Sequence, residues 1–139
     1  MQFDSLDDWS RRSEPGIKYY SGKAVYRKSF VWSGAVAGRK CYIDLGDVKN
    51  LARVRLNGRN LGVVWCAPWR VEAAAMQNGD NELEVEVVNL WPNRMIGDLS
   101  LPDDQRFTWA AVNPFKADTA LLPSGLLGPV KVLTEANAP

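Results

Sequence analysis

The segment Leu51-Ala52-Arg53-Val54-Arg55-Leu56-Asn57-Gly58-Arg59-Asn60-Leu61-Gly62, preceded by Asp44-Leu45-Gly46-Asp47-Val48 and followed by Val63-Val64-Trp65-Cys66-Ala67-Pro68-Trp69-Arg70-Val71, carries the strongest local signal in the chain. Asn57-Gly58 lies between two alternating runs, and a tight turn between twisted strands needs residues that tolerate positive φ. Ala52, Val54 and Leu56 alternate with Arg53, Arg55 and Asn57, so one face is apolar and the other cationic or polar. On the returning strand the same period puts Leu61, Val63 and Trp65 inward. Pro68 lacks a backbone donor and is expected to end the pairing.

The strand pattern extends outward from this hairpin. Cys41, Ile43 and Leu45 share one parity, and Cys41 in that phase reads as a buried thiol acting as a small hydrophobe. With Cys66 the only other cysteine, the sequence leaves open two free thiols or one disulfide. From Ile17 to Trp32, the residues Tyr20, Ala24, Tyr26 and Phe30 oppose Lys23, Arg27 and Ser29, predicting a long strand broken near Ser21-Gly22. Leu83, Val85 and Val87 oppose Glu82, Glu84 and Glu86, the pattern of a half-buried strand. Short strands are expected at Trp69–Val71 and Val130–Leu133. Phe3 to Glu14 reads as an opening strand or loop closed by Pro15-Gly16, Ser33 to Arg39 as a loop, and Asn78-Gly79-Asp80-Asn81 as a turn. Glu72–Met76 is too short to stand as a helix, and Glu135–Pro139 is a tail. Asn89 to Ala120 has no sustained period; a structureless loop of that length is functional or disordered, and its aromatic content argues against disorder. Many short strands and no helix of useful length predict a single all-β domain over residues 1–139, an antiparallel β-sandwich of jelly-roll type.

The length of 139 residues is that of one domain able to bury a core without staples. Seventeen basic against sixteen acidic residues give a net charge of +1, which argues against nucleic acid or an anionic membrane as partner. No apolar run approaches the roughly 18 residues that span a bilayer, and Met1-Gln2-Phe3-Asp4 opens no export signal, although a signal in a longer parent would lie outside this chain.

The chain has no histidine. That excludes Ser-His-Asp and Cys-His nucleophilic sites and leaves too few ligands for a catalytic zinc. No glycine-rich phosphate loop opens a helix. Glu82, Glu84 and Glu86 read as a solvated face rather than a pair of glycosidase carboxylates. No cofactor and no metal site is expected. Asp7-Asp8, Asp103-Asp104, Asp44 and Asp47 offer oxygens to a structural calcium ion, but there is no twelve-residue calcium loop. The positive signal is six tryptophans, Trp9, Trp32, Trp65, Trp69, Trp91 and Trp109. An exposed indole offers a flat apolar plate to the C–H face of a sugar, with neighbouring amides and charges for its hydroxyls. Trp9 and Trp65 are assigned to the core, and Trp91 and Trp109 to the surface. The candidate sugar-binding set is Trp91 and Trp109 for stacking, with Asn89, Asn93, Arg94 and Asp98 for hydrogen bonding. The competing reading packs these rings inside the sandwich or against a neighbouring domain.

Tyr19-Tyr20-Ser21-Gly22-Lys23-Ala24-Val25-Tyr26-Arg27, Asp44 to Val48, Val54-Arg55-Leu56-Asn57-Gly58 with Leu61-Gly62, and Gly79-Asp80-Asn81-Glu82-Leu83-Glu84-Val85 resemble the sugar-binding jelly-roll domain of glycoside hydrolase family 2. With Asn89-Leu90-Trp91-Pro92-Asn93-Arg94-Met95-Ile96-Gly97-Asp98 and Pro123-Ser124-Gly125-Leu126-Leu127-Gly128-Pro129-Val130, the chain is more closely similar to the C-terminal β-sandwich of α-L-rhamnosidase-type enzymes of glycoside hydrolase family 106. The resemblance implies a galactose-binding-like fold and an extracellular or periplasmic parent enzyme acting on plant-type polysaccharide. It also implies an accessory role, with carbohydrate and the parent's catalytic domain as partners and the catalytic carboxylates in that other domain.

Overall fold

A computed structural model describes residues 5–34 and 40–135. The expected loop Ser33–Arg39 and the tail after Glu135 fall mostly outside the described residues. The strands are β1 (Lys23–Trp32), β2 (Cys41–Asp44), β3 (Asp47–Lys49), β4 (Leu51–Leu56), β5 (Arg59–Val64), β6 (Arg70–Glu72), β7 (Gly79–Val88), β8 (Gly125–Gly128) and β9 (Lys131–Thr134). They pair antiparallel into a four-stranded sheet of order β1-β7-β4-β5, a three-stranded sheet β6-β2-β9, and a two-stranded ribbon β3-β8. The chain is thus an all-β, jelly-roll-like sandwich, as the alternation predicts.

The core lies between the sheets. Ala52, Val54 and Leu56 of β4 and Val85 and Val87 of β7 face Ile43, Leu45 and Val48. The hairpin forms at the expected place: Asn57 has φ 51° and Gly58 φ 75°, the two positive values that a tight primed turn requires. Asn57 does more than turn the chain. Its amide donates to Asn81 Oδ1 and to the Ala75 carbonyl, both at 2.9 Å, and accepts from the Glu82 N–H at 2.8 Å. Asn81, buried, also binds the backbone of Gln77 and Gly79, so Gly79-Asp80-Asn81 starts β7 rather than forming a free turn.

One part of the hairpin departs from the strict period. Val54 pairs with Gly62 but Arg55 with Asn60, so Leu61 is an extra residue, a β-bulge that reverses the parity beyond it. Val64 is therefore buried and Val63 exposed, and Trp65 stands 72% exposed instead of entering the core. On the outer face, Glu84 sits between Arg27 (2.9 Å) and Arg55 (3.1 Å), and Glu86 between Lys23 (3.5 Å) and Arg53 (3.4 Å). These carboxylates run along the middle strand of an ion-pair ladder, which is a firmer arrangement than a merely solvated face.

The N-terminal segment closes one end. Of the strand or loop expected there, it forms the loop, with a 3₁₀ turn at Trp9–Arg11 followed by a single helical turn α1, Pro15–Lys18, in which Pro15 occupies the first turn where its missing N–H costs nothing. Trp9 is buried, stacks on Tyr26, and donates its indole N–H to the Tyr26 hydroxyl at 2.7 Å. Its backbone N–H reaches the Ser124 carbonyl at 2.9 Å, and Asp8 accepts from Ser10 and Ser124 N–H, both at 3.0 Å. A Cβ on Gly125 would stand 2.5 Å from the Trp9 ring, so close approach of β8 requires glycine there.

The two sheets do not close alike on both sides. β5 and β6 are linked through the short turn after Val64 and remain in contact. On the other side β1 and β9 are both edge strands, and between them runs an apolar trough of about 1160 Å³. Cys41 and Cys66 are both free, the first buried and the second exposed. No described helix is long and apolar enough to cross a membrane.

Candidate functional site

The region from Asn89 to Ser124 leaves the end of β7 and returns to β8. It is not the continuous loop that its missing period suggests. Pro92 opens a short helix α2, Pro92–Asp98, with the Arg94 and Met95 N–H groups bound to the Trp91 carbonyl at 2.9 and 3.1 Å. Seven residues are two turns, too few for a periodic signal, and proline at the first position is favourable. A 3₁₀ turn follows at Asp103–Gln105.

The polar residues expected to meet a sugar are placed as follows. Asn89 is buried: its amide donates to the Tyr20 carbonyl (2.7 Å) and to Ser124 Oγ (2.6 Å) and accepts from the Gly22 N–H (2.8 Å). Asn93 is buried and mimics a strand partner for Leu122, donating to its carbonyl at 2.7 Å and accepting from its N–H at 2.8 Å. Asp98 is buried; one oxygen accepts from Phe107 N–H (3.1 Å), Thr108 N–H (2.8 Å) and Thr108 Oγ1 (2.6 Å), and the other lies 2.8 Å from Arg94 Nη2. Burial pushes the Asp98 carboxyl pKa up, but the Thr108 and Phe107 hydrogen bonds and the Arg94 charge outweigh it and hold the pKa below the usual carboxylate range. Arg94 itself is mostly buried, with the Phe107 ring 4.7 Å and the Tyr19 ring 5.8 Å from its guanidinium.

These four side chains therefore turn into the protein, which corrects their expected orientation. The physical reason is backbone satisfaction: a 36-residue crossing with little regular structure leaves N–H and C=O groups that only side chains can pair. Asn89 and Asn93 pin its two ends, and Asp98 with Arg94 pins its middle.

The apolar members are placed the opposite way. Trp91 is 68%, Phe107 77% and Trp109 86% exposed, and Leu90, Val112 and Leu122 of the same segment are exposed as well. Leu90, Pro92, Leu122 and Pro123 line a small cavity of about 250 Å³ with Lys49 and Asn50 at its side. Phe107, Leu90 and Leu122 were not singled out by the sequence; the available signal was the same as for Trp91 and Trp109, a large apolar side chain in a segment with no period to bury it.

No metal cluster is formed among the described residues. Asp44 accepts from the Gly46 N–H and pairs with Arg70, Asp47 pairs with Lys49, Asp7 with Arg12, and Asp103 with Arg106.

No protein-family model matches the chain. It is 39% identical, over 158 aligned positions and 95% of its length, to a putative beta-glucuronidase of Formosa agariphila, of which it covers 14%. Among solved structures it is similar to a rhamnosidase from Novosphingobium sp. PP1Y, with a TM-score of 0.86 and 42% identity over 94% of this chain and 12% of that one. The beta-D-glucuronidase of Dictyoglomus thermophilum shares the fold alone, with a TM-score of 0.52 and 19% identity over 64% of this chain and 16% of that one. The chain therefore spans 12–16% of the length of these relatives, and what it resembles is a segment of glycoside hydrolases.

Proposed function

We propose that this chain is a non-catalytic accessory domain of a larger glycoside hydrolase and that its indole-bearing rim contacts carbohydrate. The observation that carries the reading is the display of Trp91 and Trp109 on a segment whose polar side chains are turned inward and rigidly bonded. The likeness over nearly the whole chain to a segment of a rhamnosidase supports it. The finer assignment follows the sequence resemblance: a galactose-binding-like domain of an exported α-L-rhamnosidase-type enzyme of family 106, related to the sugar-binding domain of family 2, acting on plant-type polysaccharide.

A sugar ring presents its C–H face to an indole and keeps its hydroxyls in water or on backbone groups. Asn89, Asn93, Arg94 and Asp98 then serve by holding the platform, and the contact falls on the rings. The absence of histidine, and the flanking of Glu84 and Glu86 by cations, support a domain whose parent carries the proton-transfer chemistry elsewhere. Titration with L-rhamnose and with glucuronic-acid-containing oligosaccharides, followed by tryptophan fluorescence and calorimetry, tests the reading. Saturable binding lost in Trp91→Ala and Trp109→Ala supports it, and no heat at millimolar sugar overturns it.

A second reading is favoured by one observation. With the polar groups turned in, Leu90, Phe107, Val112 and Leu122 of the same segment are exposed as well as the indoles, and exposed apolar surface of this kind marks places that meet other protein. In that case the same rim docks on the parent's catalytic domain, and Trp109→Ala weakens that association without changing sugar binding.

A further inference from the structure

We propose that the open side of the sandwich, between β1 and β9, receives an extended acidic strand from the longer polypeptide to which this domain belongs, added along the free edge of β1. The source of the strand rests on the reading above; the site itself rests on the geometry.

β1 is ten residues long, about 33 Å of strand. Among the described residues its backbone bonds to β7 and, at Lys23, accepts from the Tyr20 hydroxyl at 2.8 Å; no other backbone bond reaches it. A row of free donors and acceptors of that length is a template for a further strand. Beneath it lies the trough, with Ile43 and Val85 at its floor and Ile17, Phe30, Val130 and Val132 along its walls, so a strand laid on the edge has apolar pockets for alternate side chains. Val25 and Tyr20, exposed at the same edge, extend that surface.

Charge selects the occupant. The ionic residues lining the trough are Arg27, Lys28 and Lys131, with no acid among them. Arg27 is paired to Glu84, whereas Lys28 and Lys131 form no ion pair among the described residues. Lys28 carries the inward parity of Tyr26 and Phe30 and sits opposite Leu83, a charge on the core-facing side of an edge strand. A second copy of this chain is a poor occupant: pairing β1 with itself antiparallel about its centre sets Arg27 against Lys28 of the other copy, and neighbouring registers set like against like. A strand with carboxylates at its centre meets Arg27 and Lys28 favourably. Relatives about 40% identical run to seven or eight times this chain's length, so in them such a segment is covalently at hand.

The test uses the full 139-residue chain. Its association state is read first, and a dimer joined through β1 overturns the proposal. A ten-residue peptide of valine and threonine with two central glutamates is then added, and amide hydrogen exchange is followed residue by residue. Slowed exchange confined to Lys23–Trp32 is expected, with affinity falling about fivefold in Lys28→Glu and recovering when the peptide's glutamates are replaced by lysines. No protection at millimolar peptide, or equal protection by both peptides on the unaltered chain, overturns it. So does binding of an apolar dye in the trough that the glutamate peptide fails to displace. Because the readout lies on β1, its failure leaves the fluorescence of Trp91 and Trp109 with sugar unaffected, and the two readings fail separately.

Discussion

Arg94 and Asp98 meet at 2.8 Å, one helical turn apart on α2, and the Phe107 ring covers the guanidinium at 4.7 Å while its own backbone N–H binds the same aspartate. The pair thus ties the wrapping segment to the helix through both charge and ring contact. Asp98→Asn leaves Arg94 buried beside a neutral amide and is expected to cost about 3 kcal/mol. Urea unfolding measures this, and limited proteolysis after Arg106 or Lys116 should accelerate in parallel. A cost below about 1 kcal/mol would mean that water solvates the pair.

The same carboxylate sets an acid limit. Its pKa is lower in the folded chain than the ordinary 3.8, so its stabilisation is present above that unfolded value and is lost as pH falls through the lower folded one. Stability measured between pH 5 and pH 2 should therefore fall less steeply in Asp98→Asn than in the unaltered chain.

Tyr26 sets an alkaline limit by the opposite sign. Burial raises its pKa above 10.0, although the Leu126 and Trp9 hydrogen bonds oppose the shift. Its contribution is intact below pH 10 and is lost as pH rises through the folded value. Tyr26→Phe removes the acceptor for the Trp9 indole and the Leu126 N–H, and is expected to cost about 2 kcal/mol at neutral pH while flattening the loss of stability above pH 10.

Asn57→Ala keeps the hairpin position but removes the links to Asn81, Ala75 and Glu82, and adds a side chain less tolerant of φ 51°. About 2 kcal/mol of destabilisation is expected, read by thermal unfolding. Asn57→Gly, which keeps the backbone freedom, should recover part of it.

Thiol counting separates the two cysteines. With Cys41 buried and Cys66 exposed, a thiol reagent should label one cysteine quickly in the native chain and both after denaturation. Slow labelling of both would contradict the exposure of Cys66.

The sandwich was legible where side chains obey a period. Asn57-Gly58, the Cys41–Leu45 phase and the Leu83–Val87 alternation all declare which face is buried, because one-sided burial forces strict alternation. Trp65 was misplaced because a single extra residue at Leu61 inverts parity; the signal available was Gly62, a glycine inside a strand pattern, which takes φ 123° beside the bulge. The helix α2 was hidden by its length. Exposure of Trp91 and Trp109 could be inferred from the missing period around them. The inward turn of Asn89, Asn93 and Asp98 could not: an amide that satisfies Leu122 and one that greets a ligand are written with the same letter.

Trp9 finds its place only when Ser124 and Gly125 are present to receive it. During synthesis the indole leaves the ribosome more than a hundred residues before its seat does, and must wait while most of the shell assembles. Seating Trp9 thus closes a loop of more than a hundred residues, a non-local contact of the kind that slows folding.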